Sequence, residues 1–260
     1  MMNFPLTTSS ILKYVESEYG ERELISYCEK DVVFRYNYAE FALRVNQLAN
    51  SLKSKGIKAG DRVATLAWNT HRHMELYYAI SGIGAICHTI NPRYSTEQIK
   101  YIVEHANDSA LYFDGDFTAT AEMLSQSKLG VAHFVCLSNN KPPSKTLNFS
   151  YYEEDLSQHK STFNWPELNE NTNAALCYTS GTTGNPKGVL YTHRSLCLHS
   201  IISSHQENLD VESQDVICPI VPMFHVNAWG LPYSAPMFGA SMVFAGSNMQ
   251  PEVLYKILDD

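Results

Sequence analysis

Residues Tyr178–Gly188 read YTSGTTGNPKG, and this stretch decides how the rest of the chain is interpreted. Apolar runs flank it on both sides, which predicts a loop held between two buried strands of one sheet. Gly181 and Gly184 allow successive backbone N–H groups to turn towards an anion, and Lys187 supplies a mobile positive charge. The side-chain hydroxyl donors of the loop are Thr179, Ser180, Thr182 and Thr183. This combination is typical of a loop that binds a polyphosphate.

Two other classes of phosphate or catalytic loop do not match this stretch, and a third interpretation stays open. A Walker loop needs Gly-Lys-Ser/Thr directly ahead of a helix, whereas here Lys187 precedes Gly188 and a strand-like run follows. A serine hydrolase is not indicated, because Ser180 has Tyr178 instead of glycine two positions before it. A solvated hairpin turn rich in Ser, Thr and Gly is the ordinary alternative, but it leaves the single lysine and the paired threonines unexplained.

The composition excludes several classes of function. The chain has 260 residues, of which 44% are hydrophobic and 18% are charged, and no apolar run approaches the roughly 18 residues of a membrane helix. A net charge of -8 without a basic cluster argues against nucleic-acid binding. Six scattered cysteines predict reduced thiols and a cytoplasmic location. His71 and His73 lie two apart on a predicted helix and do not share a face, so no zinc site is expected.

Strand patterns alternate with helical ones along the chain, which predicts an α/β fold with mostly parallel sheets flanked by helices. Residues 1–137 are predicted to form a first α/β half, 138–172 a polar linker region and 173–260 the start of a second half that carries the loop. Two capping boxes, Asn37-x-x-Glu40 and Ser95-x-x-Gln98, are predicted to open helices.

Two further expectations concern helices of the linker region and the second half. The acidic run Glu153–Asp155 is predicted to be a solvated helix start, because carboxylates favour that end of the helix dipole. A helix is predicted from His193 to Leu209.

A second unusual stretch, Pro222–Tyr233, reads PMFHVNAWGLPY. Composition alone favours core filling for its Met, Phe, Trp and Tyr side chains. His225 and Trp229 lie four residues apart, so on a helix they would share one face.

Together these two stretches resemble the adenylate-forming, AMP-binding superfamily. From about Tyr36 to Asp260 the chain resembles the N-terminal portion of the large domain of a medium- or long-chain fatty-acyl-CoA synthetase, an acid–thiol ligase. The resemblance implies that a fatty acid is joined to the α-phosphate of ATP with release of pyrophosphate. The acyl group then passes from AMP to coenzyme A, with Mg²⁺ as the metal.

The resemblance also assigns roles to residues of both stretches. It implies that Thr179 reaches the magnesium, while Lys187 and the loop residues hold the β- and γ-phosphates. The loop residues in question are Ser180, Gly181, Thr182, Thr183 and Gly184. His225 is implied to lie near the carboxylate and the α-phosphate, with Val226 and Trp229 lining the acyl and nucleotide cavity and Trp229 gating it. Lys187 and His225 are thus the catalytic candidates.

Several motifs of this family do not occur in these residues. There is no Tyr-Gly-x-Thr-Glu motif to supply a metal carboxylate, and the ribose-binding aspartate, the hinge and the C-terminal domain with its lysine are also absent. We therefore expect an inactive N-terminal fragment of a longer enzyme. Three alternatives stay open: a ligase of aryl or other carboxylic acids, a non-catalytic nucleotide-binding module, and a scaffold that forms a homodimer.

Overall fold

The computed structural model of the chain describes residues 4–29, 32–139, 144, 146–179 and 185–259. Within these ranges the strands form a seven-stranded and a four-stranded sheet, with helices packed on both. The strands are β1 (Glu23–Glu29), β2 (Val32–Asn37), β3 (Arg62–Leu66), β4 (Ile86–Thr89), β5 (Asp108–Phe113), β6 (His133–Cys136), β7 (Ser150–Tyr151), β8 (Asn173–Thr179), β9 (Lys187–Thr192), β10 (Val216–Ile217) and β11 (Ser241–Phe244). The helices are α1 (Thr8–Glu18), α2 (Tyr38–Ser54), α3 (His71–Gly82), α4 (Thr96–Ala106), α5 (Thr118–Gln126), α6 (Tyr152–Ser157), α7 (His193–Ser203), α8 (Leu231–Phe238) and α9 (Pro251–Asp259).

The seven-stranded sheet has the order β7-β6-β5-β3-β4-β8-β9. Each neighbouring pair is parallel except β8 and β9, which form an antiparallel hairpin. This confirms the predicted α/β fold with mostly parallel sheets. Because β3, β4 and β8 run in the same direction, the loops that follow them gather at one edge of the sheet, where ligands of open α/β sheets bind.

The four-stranded sheet has the order β10-β11-β1-β2 and joins the two ends of the chain. Strand β1 pairs in parallel with β11, in a register that sets Leu24 beside Met242 and Ser26 beside Phe244. Strand β8 likewise pairs with β4 in the larger sheet. Both sheets therefore contain strands from residues 1–137 and from residues 173–260.

Helix α3 lies between the sheets and is buried along its whole length. It contacts β1 of the smaller sheet and β4 and β8 of the larger one. Because α3 packs against both sheets, all of its faces are enclosed. Its side chains can therefore hold residues at the edge of the sheet in place. No helix in the described ranges combines the length and apolar character needed to cross a lipid bilayer.

Both predicted capping boxes are confirmed. The Asn37 side chain accepts a hydrogen bond from the Glu40 amide at 2.9 Å, and the Glu40 carboxylate accepts one from the Asn37 amide at 3.0 Å. Ser95 and Gln98 make the same reciprocal pair at 3.3 and 3.0 Å. These signals are local in sequence, so they could be recognised without knowledge of the fold.

The region predicted as a linker contains β7 and α6, and α6 is held by ion pairs. Glu153 accepts from Arg44 at 3.0 Å and from Arg72 at 2.8 Å. Asp155 lies 2.7 Å from the amine of Lys55. The expectation of a solvated acidic run was therefore wrong for Glu153 and Asp155, because basic residues of α2 and α3, and the lysine that follows α2, face them.

Helix α7 ends at Ser203, six residues before the predicted end at Leu209. The Asn208 side-chain amide donates to the carbonyl oxygen of Ile202 at 2.9 Å, and the Leu209 amide donates to Ser203 at 3.0 Å. These contacts satisfy the last carbonyl groups of the helix, so the chain turns instead of continuing.

Candidate active site

The hairpin neck, which comprises Tyr178, Thr179, Lys187 and Gly188, lies at the base of the predicted phosphate loop. The strand register sets Thr179 directly opposite Lys187, and Tyr178 opposite Gly188. Thr179 and Lys187 are both exposed. A hydroxyl donor and a cation therefore lie side by side where an anion can reach them.

Five of the predicted phosphate-binding residues lie outside the described part of the chain. They are Ser180, Gly181, Thr182, Thr183 and Gly184. Their roles stay predictions.

The second stretch, Pro222–Tyr233, is tied to the sheet edge by Asn69, which follows β3. The Asn69 side chain accepts from the Met223 amide at 2.7 Å and donates to the carbonyl oxygens of Pro219 and Val221, each at 3.0 Å. Thr70, the next residue, caps α3, which leaves the Asn69 side chain to hold this stretch.

Residues 226–230 form a left-handed turn. Val226, Asn227, Ala228 and Trp229 have φ angles of 46°, 49°, 49° and 56°, and Gly230 has a φ of 80°. The expectation that His225 and Trp229 share one face of a helix was therefore wrong. A left-handed backbone costs a non-glycine residue about 1–2 kcal/mol, so the surroundings must hold the turn in place.

Contacts from three elements hold this turn. The Tyr77 hydroxyl of α3 donates to the carbonyl oxygen of Met223 at 2.5 Å and lies 3.3 Å from Oδ1 of Asn227. On the other side, Nε2 of His199 on α7 lies 3.0 Å from the carbonyl oxygen of Trp229. The third contact comes from Cys177 of β8, whose thiol donates to Oδ1 of Asn227 at 3.5 Å.

The Cys177–Asn227 contact brings the two sequence stretches together. Burial raises the pKa of the Cys177 thiol, which therefore keeps its proton for this hydrogen bond. Because side chains alternate along a strand, Thr179 lies on the same face of β8 as Cys177. The end of the phosphate-loop strand and the Asn227 turn thus share one face of the sheet. Sequence reasoning missed Asn69, Tyr77 and Asn227, since their partners are distant in the chain.

The three predicted substrate residues, His225, Val226 and Trp229, are exposed. Trp229 is 54% exposed, so it does not fill the core as composition alone suggested. It borders an open cleft of about 570 Å³. The other residues around this cleft are His199, Ile202, Ser203, Glu207, Asn208 and Leu209.

The chemistry of the described residues fits a phosphate anion better than a metal bound by protein alone. In these ranges no group of three or more His, Cys, Asp or Glu side chains is placed to hold a metal ion. Thr179 could supply one oxygen ligand, and further ligands would have to come from phosphate oxygens or water.

Residues 14–260 match the family described as AMP-binding enzyme. The chain belongs to the AMP-binding enzyme family. It is 42% identical over 261 residues to a 3-methylmercaptopropionyl-CoA ligase of Ruegeria lacuscaerulensis, covering 100% of this chain and 48% of that protein. It is also 42% identical over 260 residues to a medium-chain-fatty-acid–CoA ligase of Ectopseudomonas oleovorans, covering 99% of this chain and 48% of that protein.

Solved structures of the family share the fold. A long-chain-fatty-acid-CoA ligase of Archaeoglobus fulgidus superposes with a TM-score of 0.84 at 20% identity, covering 99% of this chain and 51% of that one. The chain thus spans about half the length of the curated relatives that it matches.

Proposed function

We propose that the protein to which these residues belong is a fatty-acyl-CoA synthetase, with residues 1–260 as the N-terminal portion of its large domain. The carboxylate oxygen of a medium- or long-chain fatty acid attacks the α-phosphorus of ATP, and pyrophosphate leaves. The thiol of coenzyme A then attacks the acyl carbonyl carbon, and AMP leaves. The observation that carries this proposal is the hairpin neck, where Thr179 and Lys187 lie exposed and opposite each other.

Lys187 and Thr179 act on the phosphates in this proposal. The Lys187 ammonium stabilises the charge that develops on the departing pyrophosphate, and the Thr179 hydroxyl binds Mg²⁺. The described residues hold no carboxylate cluster for the ion, so a metal carboxylate is expected from elsewhere in the protein. Residues 180–184, which lie between Thr179 and Lys187 in the sequence, are proposed to donate hydrogen bonds to the β- and γ-phosphates.

The left-handed turn presents the acid-binding residues. His225 and Val226 are proposed to lie against the carboxylate and the nucleotide, with Trp229 beside the acyl chain. Support comes from the Cys177–Asn227 contact, which sets this turn on the Thr179 face of β8. The cleft beside Trp229 includes the apolar side chains of Ile202 and Leu209, which suit an alkyl chain.

A short carboxylic acid is the second candidate substrate. One of the two relatives at 42% identity is named for a 3-methylmercaptopropionyl product and the other for medium-chain fatty acids, so sequence identity does not separate the two substrate classes. A panel containing 3-methylmercaptopropionate, octanoate, palmitate and benzoate distinguishes short, medium, long and aryl acids.

We also propose a cytoplasmic homodimer. None of the six cysteines, all in the described part of the chain, forms a disulfide, which fits a reducing compartment. The edge strand β9 and helix α7 expose apolar side chains that a second subunit could cover. They are Val189, Leu190 and Ile201. Molar mass by light scattering across a concentration series tests this: a constant monomer mass would refute the dimer.

The functional test is acid-dependent product formation by the full-length gene product. With ATP, Mg²⁺ and coenzyme A, we expect AMP and acyl-CoA from octanoate or palmitate, and no acyl-AMP from residues 1–260 alone. If no acid of the panel yields AMP, the ligase proposal is wrong. If only the short acid does, the fatty substrate is wrong while the ligase reaction stands.

A further inference from the structure

Tyr178, the first residue of the phosphate-loop motif, is held at both its side chain and its backbone. Its hydroxyl lies 2.7 Å from Nδ1 of His105 on α4. Its carbonyl oxygen accepts a hydrogen bond from the hydroxyl of Tyr94 at 3.0 Å. Tyr94 follows β4 at the same edge of the sheet, so both contacts come from outside the hairpin.

The Tyr178 ring is also fixed by its neighbours in the sheet. It is 7% exposed and lies against the ring of His88, at a centroid distance of 5.2 Å. Across the hairpin, a Cβ atom on Gly188 would lie only 3.2 Å from Cζ of Tyr178. Glycine therefore lets the ring cross the opposite strand in the register that sets Thr179 beside Lys187.

The pKa of Tyr178 bears on its hydrogen bond with His105. Burial, aided by the negative charge of Asp108, raises the pKa of Tyr178 to about 12. The hydroxyl therefore remains protonated near neutral pH, and it donates to Nδ1 of His105 in the tautomer that carries the ring proton on Nε2. The Tyr94 hydroxyl in turn donates to the carbonyl group of the peptide that joins Tyr178 to Thr179.

These contacts fix the peptide that joins Tyr178 to Thr179. The peptide between Tyr178 and Thr179 is planar, so a hydrogen bond to its carbonyl oxygen also sets the direction of the Thr179 N–H. The same peptide also sets the position of the Thr179 Cα atom, from which the side chain extends. Nothing in the motif itself provides this restraint, since neither Tyr94 nor His105 belongs to it.

We propose that Tyr94 and His105 are positioning residues that hold Tyr178 and thereby orient Thr179 for the phosphates of ATP. The inference rests on the proposed function, because the loop is taken to bind the phosphates of ATP. In this proposal both residues act through Tyr178 and not on the nucleotide itself. Their loss should weaken ATP binding while leaving the acid site unchanged.

The experiment compares hydroxyl and ring variants in the full-length gene product. Tyr94→Phe removes one hydroxyl and keeps the ring, and His105→Leu removes the acceptor from an exposed position on α4. His105→Asn places an amide oxygen near the position of Nδ1 and should restore the contact. Tyr191→Phe is the matched control, since the Tyr191 hydroxyl, also on the hairpin, has no hydrogen-bond partner in the described ranges.

We measure the Kd for ATP, the KM values for ATP and acid, and the melting temperature. Tyr94→Phe and His105→Leu should each raise the Kd and KM for ATP about 3- to 10-fold, the effect of one neutral hydrogen bond. The KM for the acid should stay close to wild type in every variant, and Tyr191→Phe and His105→Asn should also keep the wild-type Kd for ATP. The melting temperature should fall by at most a few degrees in Tyr94→Phe and His105→Leu, because each loses one hydrogen bond. An unchanged Kd for ATP in both Tyr94→Phe and His105→Leu would overturn the inference. So would an equal rise in the KM for ATP and the KM for the acid together with a lower melting temperature.

The Kd separates this inference from the proposed ligase activity. A wild-type protein that binds ATP but activates no acid refutes the ligase reaction, and the positioning role is still decided by the Kd of the variants. A wild-type protein that binds no ATP overturns both.

Discussion

Glu75 joins α3, α2 and α6, and its replacement should destabilise the protein more than that of any exposed acidic residue. Its carboxylate is fully buried and accepts from Nε and Nη2 of Arg44 at 2.7 and 3.2 Å. The hydroxyls of Tyr36 and Tyr152 donate to it at 3.0 and 2.6 Å. Burial acts to lower the pKa of Arg44, but Glu75 and Glu153 hold it well above its ordinary value.

Glu75→Gln keeps the volume of the side chain and removes its charge. Breaking a buried ion pair from one side costs about 3–5 kcal/mol, because the other charge stays buried without its partner. Arg44 retains Glu153 as a second partner, at 3.0 Å, so we expect the lower end, about 3 kcal/mol.

Glu23→Gln is the matched control for this measurement. Glu23 pairs with Arg35 at 3.6 Å, with both side chains about half exposed, and such pairs contribute at most about 1 kcal/mol. The free energy of unfolding of each variant is measured in urea at pH 7. Equal losses below 1 kcal/mol would refute the reasoning, since they would mean that burial of the Glu75 cluster adds nothing.

Further variants probe the proposed acid site, a buried histidine and the left-handed turn. Because Trp229 is 54% exposed, Trp229→Ala should lower the melting temperature by only a few degrees. It should change the ratio of the kcat/KM values for octanoate and palmitate. A destabilised variant with an unaltered ratio would indicate that Trp229 has a packing role instead. Burial lowers the pKa of His73 from 6.5 to about 4. As the pH drops from 6.5 to 4, the unfolded chain therefore binds a proton at His73 that the folded chain does not. The free energy of unfolding should fall by up to about 3 kcal/mol over this range. His73→Gln should make this pH dependence shallower, and an equally steep one would contradict that. Asn227→Gly keeps the φ of 49° accessible but removes the side-chain amide, so it should raise the KM for the acid. Asn227→Ala removes the same amide and also strains the backbone, so it should have a lower melting temperature than Asn227→Gly. Equal melting temperatures of these two variants would show that the turn is not strained.

Local sequence signals predicted most of the elements. The capping boxes at Asn37 and Ser95 follow from residues within a few positions of one another. The two strands of the hairpin were also predictable from the apolar runs on both sides of the loop. The prediction that both are buried was wrong for β9, which is largely exposed because it lies at the edge of the sheet. What these signals could not give is the order of strands, since the β1–β11 and β4–β8 pairings join distant parts of the chain.

The site was only partly predictable for the same reason. The left-handed turn at residues 226–230 overrides the spacing of His225 and Trp229, and Tyr77 and Cys177, which hold it, lie far away in sequence. The end of α7 was missed because a single side chain, Asn208, satisfies the carbonyl of Ile202. Tertiary contacts decided the left-handed turn, and no local propensity encodes them, whereas the end of α7 depends on a contact between residues six positions apart.

The most direct test of the central claim is ATP–pyrophosphate exchange by Lys187→Ala in the full-length gene product. If the hairpin neck holds the phosphates, loss of one charge-assisted contact, worth about 1.5–3 kcal/mol, should slow exchange about ten- to a hundredfold at an unchanged melting temperature. Lys58→Ala, an exposed lysine just before β3 at the opposite edge of the sheet, is the control and should exchange at the wild-type rate. Exchange by Lys187→Ala at the wild-type rate would contradict the assignment of residues 178–188 as the phosphate loop.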